Sequence, residues 1–269
     1  MSGKVVLITG ASRGIGHALA CELAGRGHRV YGAARSDCDG APFIPLSLDV
    51  TSAGSAQEAV ANIIDKEGKI DVLVNNAGSS FSGPVEEVST DTARRIFETN
   101  YMGIVNMVKA VLPNMRKRES GDIVNIGSAG GKIGVPFQSH YTASKFAVEG
   151  LSESLYYELR PFGVRVLLIE PGDVGTEIWT SSEHFSEKES AYTKALQRFH
   201  QVKAKEMGKG ADPPEKVAGD IADIVLSDTR KLRHPVAKGA RLILGARKVL
   251  PDGIFLPLVA RNYRTDKKK

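Results

Sequence analysis

Two residues four positions apart in the segment YTASK, Tyr141 and Lys145, combine a phenol with an ammonium group. In a helix this spacing brings both side chains to one face, where they can bind a common ligand or alter each other's charge. A free tyrosine has a pKa of about 10, so a phenol that exchanges protons at neutral pH needs a cation nearby. Tyrosine and lysine also occur at this spacing on solvated helices. The pair therefore predicts either a proton-transfer site or an ordinary helix surface.

A glycine-rich segment, TGASRGIG at residues 9–16, follows one apolar run and opens an amphipathic one. Glycines let the backbone turn tightly, and the unpaired N–H groups at a helix N-terminus bind phosphate. The glycines Gly10, Gly14 and Gly16 do not have the usual spacing of the dinucleotide fingerprint, and no Lys-Ser or Lys-Thr pair completes a P-loop. An ordinary turn between a strand and a helix is the alternative. The position of the glycines favours a dinucleotide-binding turn.

The end of the second apolar run, GAARSD, lies where a dinucleotide fold reads the adenosine ribose. An acid at this position accepts the 2′-hydroxyl, whereas an arginine favours a 2′-phosphate. Arg35 occupies the position, and Arg13 in the glycine turn can face the same phosphate. Asp37, in the short loop that follows, could instead reach the ribose. The sequence favours NADP over NAD, with Asp37 as the open question.

Seven short apolar runs, which begin at residues 4, 29, 43, 70, 121, 163 and 241, have the length of strands. Several are apolar at consecutive positions, which is typical of strands covered on both faces. Amphipathic stretches lie between most of them, at residues 15–25, 52–67, 91–118 and 139–162. This alternation predicts an α/β fold with a doubly wound parallel sheet of about seven strands, in a single domain over residues 1–269.

Two connections depart from that alternation. Residues 35–42 are too few for a full crossover helix, so we expect a loop there. Residues 177–233 are polar, with helical patches at 191–207 and 211–227, and Pro214 predicts a helix start.

The composition excludes several classes of protein. A chain of 269 residues with 42% hydrophobic and 25% charged residues is typical of a globular protein, not of a disordered or fibrous one. The net charge of +5 is mild, and we expect the basic tail at residues 262–269 to be solvated. The sequence contains no basic helix with interleaved aromatic residues, so a nucleic-acid partner is not expected.

No export signal or membrane-spanning run is evident, so the expected location is the cytoplasm, where Cys21 and Cys38 would be free thiols. No histidine or cysteine spacing predicts a metal site.

Seven segments together resemble the short-chain dehydrogenase/reductase family in their order and spacing. They are TGASRGIG, LDVT, NNAG, ETNYMG, NIGSAGG, YTASK and PGDVGTE. The resemblance covers residues 3–178, and the run from residue 241 is similar to the last sheet strand of the family. Within the family, the chain is most similar in appearance to retinol dehydrogenases and 17β-hydroxysteroid dehydrogenases.

The resemblance implies a catalytic tetrad. Tyr141 would be the general acid in carbonyl reduction and the general base in alcohol oxidation. Lys145 would favour the phenolate and hold the nicotinamide ribose. Ser128 would hydrogen-bond the substrate oxygen, and Asn100 would lie at a helix kink that seats a water leading to Lys145.

The resemblance also implies contacts to a cofactor and a substrate. The residues predicted to contact NADP are Gly10, Ser12, Arg13, Gly14, Ile15, Gly16, Arg35, Asp49, Val50, Asn76, Ala77, Gly78, Tyr141, Lys145, Pro171, Gly172, Val174 and Thr176. The residues predicted to contact the substrate are Ser128, Val135, Phe137, Gln138, Tyr141, Ile178 and Trp179, beneath a lid at residues 177–233. Simpler roles exist for some of them, since Asp49 and Thr176 could cap helices and Asn76 could form a turn.

The sequence therefore predicts an NADP(H)-dependent oxidoreductase that interconverts a carbonyl and an alcohol on a lipophilic small molecule such as a steroid or retinoid. A nucleotide-sensing protein without chemistry is the alternative, and a sugar-nucleotide epimerase is disfavoured by the glycine spacing. The resemblance further implies a homodimer or homotetramer formed through the helices at residues 91–118 and 139–162. The segment at residues 249–263 should cap the pocket or join a subunit contact, with a membrane surface as a less favoured role.

Overall fold

A seven-stranded parallel sheet forms the centre of the protein. The structure is a computed structural model that describes residues 3–36, 38, 40–176, 183–184 and 190–263. The sheet order is β3-β2-β1-β4-β6-β7-β9, and every neighbouring pair is parallel. Its strands are β1 (Val5–Thr9), β2 (Arg29–Ala34), β3 (Ile44–Ser47), β4 (Val72–Asn75), β6 (Gly121–Ile126), β7 (Val164–Pro171) and β9 (Arg233–Val236). Two short strands, β5 (Phe81–Ser82) and β8 (Glu183–His184), form a separate pair. The predicted doubly wound sheet is confirmed.

Helices cover both faces of this sheet. They are α1 (Gly14–Gly25), α2 (Ala53–Glu67), α3 (Thr90–Phe97), α4 (Gly103–Lys117), α5 (Ser139–Leu159), α6 (Thr193–Gly210), α7 (Pro214–Leu226), α8 (Ala240–Val249) and α9 (Asp252–Asn262). As predicted, α7 begins at Pro214, whose missing N–H is not needed in a first turn. The loop after β2 contains no helix among its described residues, which also matches the sequence prediction.

The consecutive apolar residues of the strands feed two separate cores. In β1, Val5 and Leu7 belong to one core, and Val6 and Ile8 belong to the other. The first core packs the sheet against α2, α4 and α5, and the second packs it against α1 and α7. Successive side chains of a strand point to opposite faces, so a strand covered on both sides needs apolar residues at every position.

The helical region at residues 91–118 is interrupted. Between α3 and α4, residues Glu98–Met102 form a π-helical segment that contains the fully buried Asn100. A π-helical segment inserts an extra residue into the helical turn and often marks a functional site.

The predicted strand at residue 241 is wrong, because these residues form α8. The last strand is β9, whose residues Arg233 to Val236 pair with Leu168 to Pro171. Its sequence, RHPV, has a weak strand pattern, and its Pro235 is tolerated because β9 lies at the edge of the sheet. The apolar residues Leu242, Ile243 and Ala246 instead follow a helical spacing and line a cleft.

A buried ionic cluster fixes α5 to the sheet. The Glu149 Oε2 of α5 forms ion pairs with the Lys132 Nζ at 2.8 Å and with the Arg233 Nε at 3.0 Å. Burial, together with the negative charge of Glu149, raises the pKa of the neighbouring Glu170 to about 7. The cluster lies one turn beyond Lys145 and therefore holds the part of α5 that carries Tyr141 and Lys145.

Candidate active site

A cleft of about 1340 Å³ opens at the carboxyl ends of the central strands. Residues that follow β1, β4, β6 and β7 line it, including Gly10, Asn76, Ser128 and Gly172. In doubly wound sheets, ligands bind at this edge of the strands. Pockets for one small ligand are about 300–1000 Å³, so the cleft has room for a cofactor and a substrate together.

The structure brings Ser128, Tyr141 and Lys145 to this cleft. Ser128 lies two residues after the end of β6, and its Oγ accepts a hydrogen bond from the N–H of Gly130 at 3.0 Å. Tyr141 and Lys145 lie one turn apart near the start of α5, with the Lys145 Nζ 5.9 Å from the centre of the Tyr141 ring. The Lys145 Nζ donates a hydrogen bond to the carbonyl oxygen of Ile126 at 2.8 Å. The helical spacing read from the sequence thus places the phenol and the ammonium group together.

Burial dominates the electrostatics of these groups. It lowers the pKa of Lys145 to about 8. Burial also raises the pKa of Tyr141, and this effect exceeds the lowering by a hydrogen bond with Ser128 and by the positive charge of Lys203. The predicted stabilisation of the phenolate by Lys145 stays a prediction. The cation that lowers the Tyr141 pKa comes from α6, and desolvation outweighs it.

Asn100 connects the π-helical segment to the start of α5. Its Nδ2 donates to the Ser144 Oγ at 2.9 Å and to the Ser79 carbonyl at 2.9 Å, while its Oδ1 accepts from the Ser79 N–H at 2.8 Å. The Ser144 Oγ in turn donates to the carbonyl of Tyr141 at 2.7 Å. These bonds hold the start of α5 against the chain that follows β4.

The glycine positions of the turn are packed too closely for a residue with a side chain. Gly10 and Gly14 have φ angles of +69° and +58°, which favour glycine. A Cβ on Gly16 would lie 2.3 Å from both the Asn76 Nδ2 and the Gly10 carbonyl oxygen. The first turn of α1 contains no acidic residue and no side-chain cap, so its N-terminal N–H groups suit a phosphate ligand.

Asn76 ties the glycine turn to the end of β4. Its Nδ2 donates to the carbonyl oxygens of Thr9 at 3.0 Å and Gly10 at 3.1 Å, and its backbone N–H donates to the Thr9 Oγ1 at 3.0 Å. The side chain is therefore a structural support for the turn. Ala77 and Gly78 line the cleft beside it.

The remaining residues predicted to contact NADP lie along the same cleft. The lining includes Ser12, Arg13, Gly14, Ile15, Arg35, Asp49, Val50, Pro171, Gly172, Val174 and Thr176. Hydrogen bonds from the N–H and hydroxyl of Thr51 lower the pKa of Asp49, and Ser52 rather than Asp49 caps α2. Asp37 lies outside the described residues, so its competition with Arg35 stays a prediction.

The predicted substrate residues divide into three groups. Val135 and Gln138 line the cleft, and the Gln138 Nε2 donates to the Ser80 Oγ at 3.2 Å. Phe137 is not part of the described lining, because its ring packs against Tyr192 and Phe199 with centroid separations of 6.3 and 5.6 Å. Ile178 and Trp179 lie outside the described residues.

A polar cluster from the C-terminal part of the chain was missed by the sequence reasoning. The Lys203 Nζ lies 2.8 Å from Glu206, 3.8 Å from Asp173 and 5.7 Å from the centre of the Tyr263 ring. Burial lowers the pKa of Lys203, but the Tyr263 hydroxyl and the two carboxylates raise it more. All four residues line the cleft. No sequence motif joins them, since they come from three elements that meet only in the fold.

The short chain dehydrogenase family model matches residues 4–187 of this chain, which include the glycine turn and the Tyr141–Lys145 pair. The protein belongs to the short-chain dehydrogenase family.

Three curated relatives of this short-chain dehydrogenase illustrate the similarity. A 3-ketodihydrosphingosine reductase of Bacteroides thetaiotaomicron is 39% identical over 260 residues, covering 95% of this chain and 96% of the relative. Human 17-beta-hydroxysteroid dehydrogenase type 1 is 38% identical over 277 residues, covering 94% and 83%. Human retinol dehydrogenase 8 is 41% identical over 189 residues, covering 65% and 60%. The predicted similarity to the retinol and 17β-hydroxysteroid enzymes is confirmed.

Solved structures agree with the fold. A short-chain dehydrogenase from Streptomyces avermitilis superposes with a TM-score of 0.83 at 32% identity, and the match covers 98% of both chains. Similar structures of other short-chain dehydrogenases are complexes with NAD and with NADP. These neighbours thus include one protein that binds NAD and one that binds NADP.

Proposed function

We propose that this short-chain dehydrogenase uses NADP(H) to interconvert a carbonyl and an alcohol on a lipophilic substrate. The observation that carries the proposal is that Ser128, Tyr141 and Lys145 share one cleft with the glycine turn. NADPH, when bound, supplies the hydride that adds to the carbonyl carbon.

The residues of the chain supply the proton and hold the oxygen. The Ser128 hydroxyl donates a hydrogen bond to the carbonyl oxygen, on which negative charge develops. Tyr141 then donates its phenolic proton to this oxygen, so the carbonyl gains a hydride at carbon and a proton at oxygen. The Lys145 ammonium stabilises the phenolate that remains. A phenol with the ordinary tyrosine pKa of about 10 is protonated at neutral pH, which is the form that carbonyl reduction requires. Burial moves the pKa of Tyr141 in the same direction.

Two arginines support the preference for NADP. Arg13 and Arg35 both line the cleft at the end where β1 and β2 finish, and both are exposed to a ligand that enters there. A guanidinium group binds a phosphate through paired hydrogen bonds, and it has no comparable partner in the 2′-hydroxyl of NAD.

Arg35→Ala and Arg13→Ala are expected to weaken NADPH binding by about tenfold each, since a charge-assisted hydrogen bond contributes about 1.5–3 kcal/mol. NADH binding should change by less than about threefold, because NADH carries no 2′-phosphate. Fluorescence titration of both cofactors measures the effect, with the exposed Arg94→Ala on α3 as the control. Equal losses for NADPH and NADH would remove the argument for a phosphate clamp.

The lipophilic substrate is supported by the cleft wall. Its apolar lining includes Ile133 and Val135 of the loop after β6, Ile243 and Leu250 of the α8 region, and Val259 of α9. The three relatives named above carry the names of a 3-ketodihydrosphingosine, a 17-beta-hydroxysteroid and retinol. Since α6 also contributes Lys203, Glu206 and Met207 to the lining, we propose that α6 covers the substrate.

The function is tested by a carbonyl panel assayed with NADPH. The panel contains 3-ketodihydrosphingosine, a 17-ketosteroid, retinal and small polar aldehydes. We expect turnover of at least one lipophilic carbonyl and weak turnover of the polar aldehydes. Tight NADPH binding without oxidation by any member would support the nucleotide-sensing alternative.

Lys203 provides a test of the Tyr141 environment. For Lys203→Met we expect the apparent pKa for alcohol oxidation to rise by about 0.5–1 pH unit, because the phenolate loses a nearby positive charge. The pH dependence of kcat/KM with NADP⁺ measures this shift. Lys203→Arg keeps the charge and should restore the wild-type profile, and the exposed Lys194→Met on the same helix should not change it. An unchanged profile in Lys203→Met would show that this cation does not act on Tyr141.

We also propose that α4 and α5 form the subunit contact of a homodimer or homotetramer. Two aromatic residues on α5, Phe146 and Tyr157, are 45% and 64% exposed. A subunit packed against them would remove this apolar area from water.

A further inference from the structure

Large apolar residues are concentrated on the outer surface of α8 and α9. Leu242 and Val249 are 80% and 79% exposed, and Ile254, Leu256 and Leu258 are each more than half exposed. We call these five residues the apolar rim. They are half of the ten large hydrophobic residues that are exposed in the described part of the chain, although α8 and α9 contain only 21 residues. Clustered exposure of this kind marks an interaction surface rather than ordinary surface composition.

The inner side of these helices is anchored to the protein. Phe255 is 4% exposed, and the Arg247 guanidinium lies 5.2 Å from the centre of its ring. Val259 and Tyr263 pack against Phe199 of α6. The apolar rim is therefore the outward face of a fixed helix pair, and its exposure does not result from loose packing.

Basic residues accompany the apolar rim. Residues 240–263 contain Arg241, Arg247, Lys248 and Arg261 but a single acid, Asp252, which is ion-paired with Arg247. Arg241 and Lys248 are exposed, and their spacing of seven positions places them on the same face of α8. They directly precede the rim residues Leu242 and Val249 in the chain. Exposed apolar side chains next to unneutralised cations are the combination that binds the boundary between anionic headgroups and acyl chains.

The apolar rim adjoins the mouth of the cleft. Leu242 and Leu258 belong both to the rim and to the cleft lining, which continues inward through Ile243, Leu250 and Val259. An apolar path thus leads from the outer surface towards Tyr141. No helix among the described residues combines the length and apolar character needed to cross a bilayer, so any membrane contact of α8 and α9 would lie at the surface.

We propose that the α8–α9 surface docks on an anionic lipid bilayer, with the apolar rim inserted at the headgroup boundary and the cleft opening towards the lipid. A second copy of the chain fits this surface less well, because a two-fold contact would bring the same cations of both copies together. The docking is inferred from the α8–α9 surface and does not depend on the proposed function. Its use, uptake of a lipophilic substrate directly from the bilayer, rests on the proposed function.

Vesicle sedimentation tests the docking. The full chain, without substrate, is mixed with vesicles of phosphatidylcholine alone or of phosphatidylcholine with phosphatidylglycerol. We expect binding to the anionic vesicles that weakens as salt is added. The triple variant Val249→Ser, Ile254→Ser, Leu256→Ser should lower the partition coefficient at least about tenfold, because it removes apolar side chains that would insert at the headgroup boundary. These three rim residues lie outside the cleft lining, so the variant leaves the lining unchanged.

A second variant tests the charges. Arg241→Gln with Lys248→Gln should also reduce binding to anionic vesicles about tenfold or more. The matched controls are Val85→Ser, which changes an apolar residue that is 54% exposed elsewhere, and Lys66→Gln on α2. Both controls should bind like the wild type. NADPH affinity should be unchanged in all variants, which establishes that they are folded.

Three outcomes would overturn the proposal. The first is no sedimentation of the wild type with anionic vesicles. The second is equal binding of the wild type, the triple rim variant and the double charge variant. The third is a fall in solution mass of the triple variant without vesicle binding of the wild type. The last would identify the rim as a contact between copies. Because no substrate is present, failure of docking is separate from failure of the carbonyl panel.

Discussion

Tyr141→Phe is expected to lower kcat for carbonyl reduction by about 10³-fold, within the range of about 10²–10⁴ that a positioned general acid contributes. The substitution removes only the hydroxyl that supplies the proton. Its ring stays one turn from Lys145, whose own hydrogen bond to Ile126 is unaffected. NADPH affinity should therefore stay within about threefold of the wild type, since the change leaves the glycine turn intact.

The measurement combines NADPH oxidation at 340 nm, for kcat, with fluorescence titration of NADPH. Tyr157→Phe removes a hydroxyl from the same helix at a position that is 64% exposed, and it should leave both quantities unchanged. Turnover of Tyr141→Phe within about tenfold of the wild type would reject Tyr141 as the proton donor.

The second large effect is expected at the glycine turn. Gly16→Ala would place a Cβ 2.3 Å from the Asn76 Nδ2 and from the Gly10 carbonyl oxygen, so the turn has to open. We expect a loss of about 1–3 kcal/mol in the free energy of unfolding, as for other overpacked sites. NADPH affinity should fall about 100-fold or more, because the N–H groups at the start of α1 move away from the phosphate position.

Gly25→Ala is the matched control, since Gly25 ends the same helix and a Cβ there meets no atom within 4 Å. A helix favours alanine over glycine by about 1 kcal/mol, so this variant should be as stable as the wild type or more stable. Thermal unfolding and NADPH titration of the two variants give the comparison. If Gly16→Ala matched Gly25→Ala in both measurements, the close backbone contact in the turn would have no energetic role.

Much of the scaffold could be predicted because its signals are local. The sheet strands β1, β4 and β7 contain runs of consecutive apolar residues, and such runs arise when both faces of a strand are covered. The glycine turn and the Tyr141–Lys145 pair are defined by spacings within one or two helical turns. Because helix and turn geometry fixes where residues at these spacings lie, the sequence was sufficient to predict the glycine turn and the Tyr141–Lys145 pair.

One local prediction failed for a physical reason. The run at residue 241 has strand-like composition, but β9 fills the edge of the sheet and the apolar residues of α8 line the cleft instead. The ring of Phe137 packs against Tyr192 and Phe199 of a later part of the chain, and its contact with a substrate stays a prediction. In both cases the partner that decides the position of the residue is distant in sequence.

The sequence by itself determined the fold class, the glycine turn and the placement of Tyr141 and Lys145 on one helix face, since each depends on patterns of residues that are close in sequence. Only the tertiary structure decided the charge around Tyr141, where burial raises the pKa and Lys203 opposes it. It also decided that α8 and α9 would leave an apolar rim beside the cleft. Desolvation and charge interaction depend on which groups lie close together in space, and Tyr141 and Lys203 are more than 60 residues apart in the sequence.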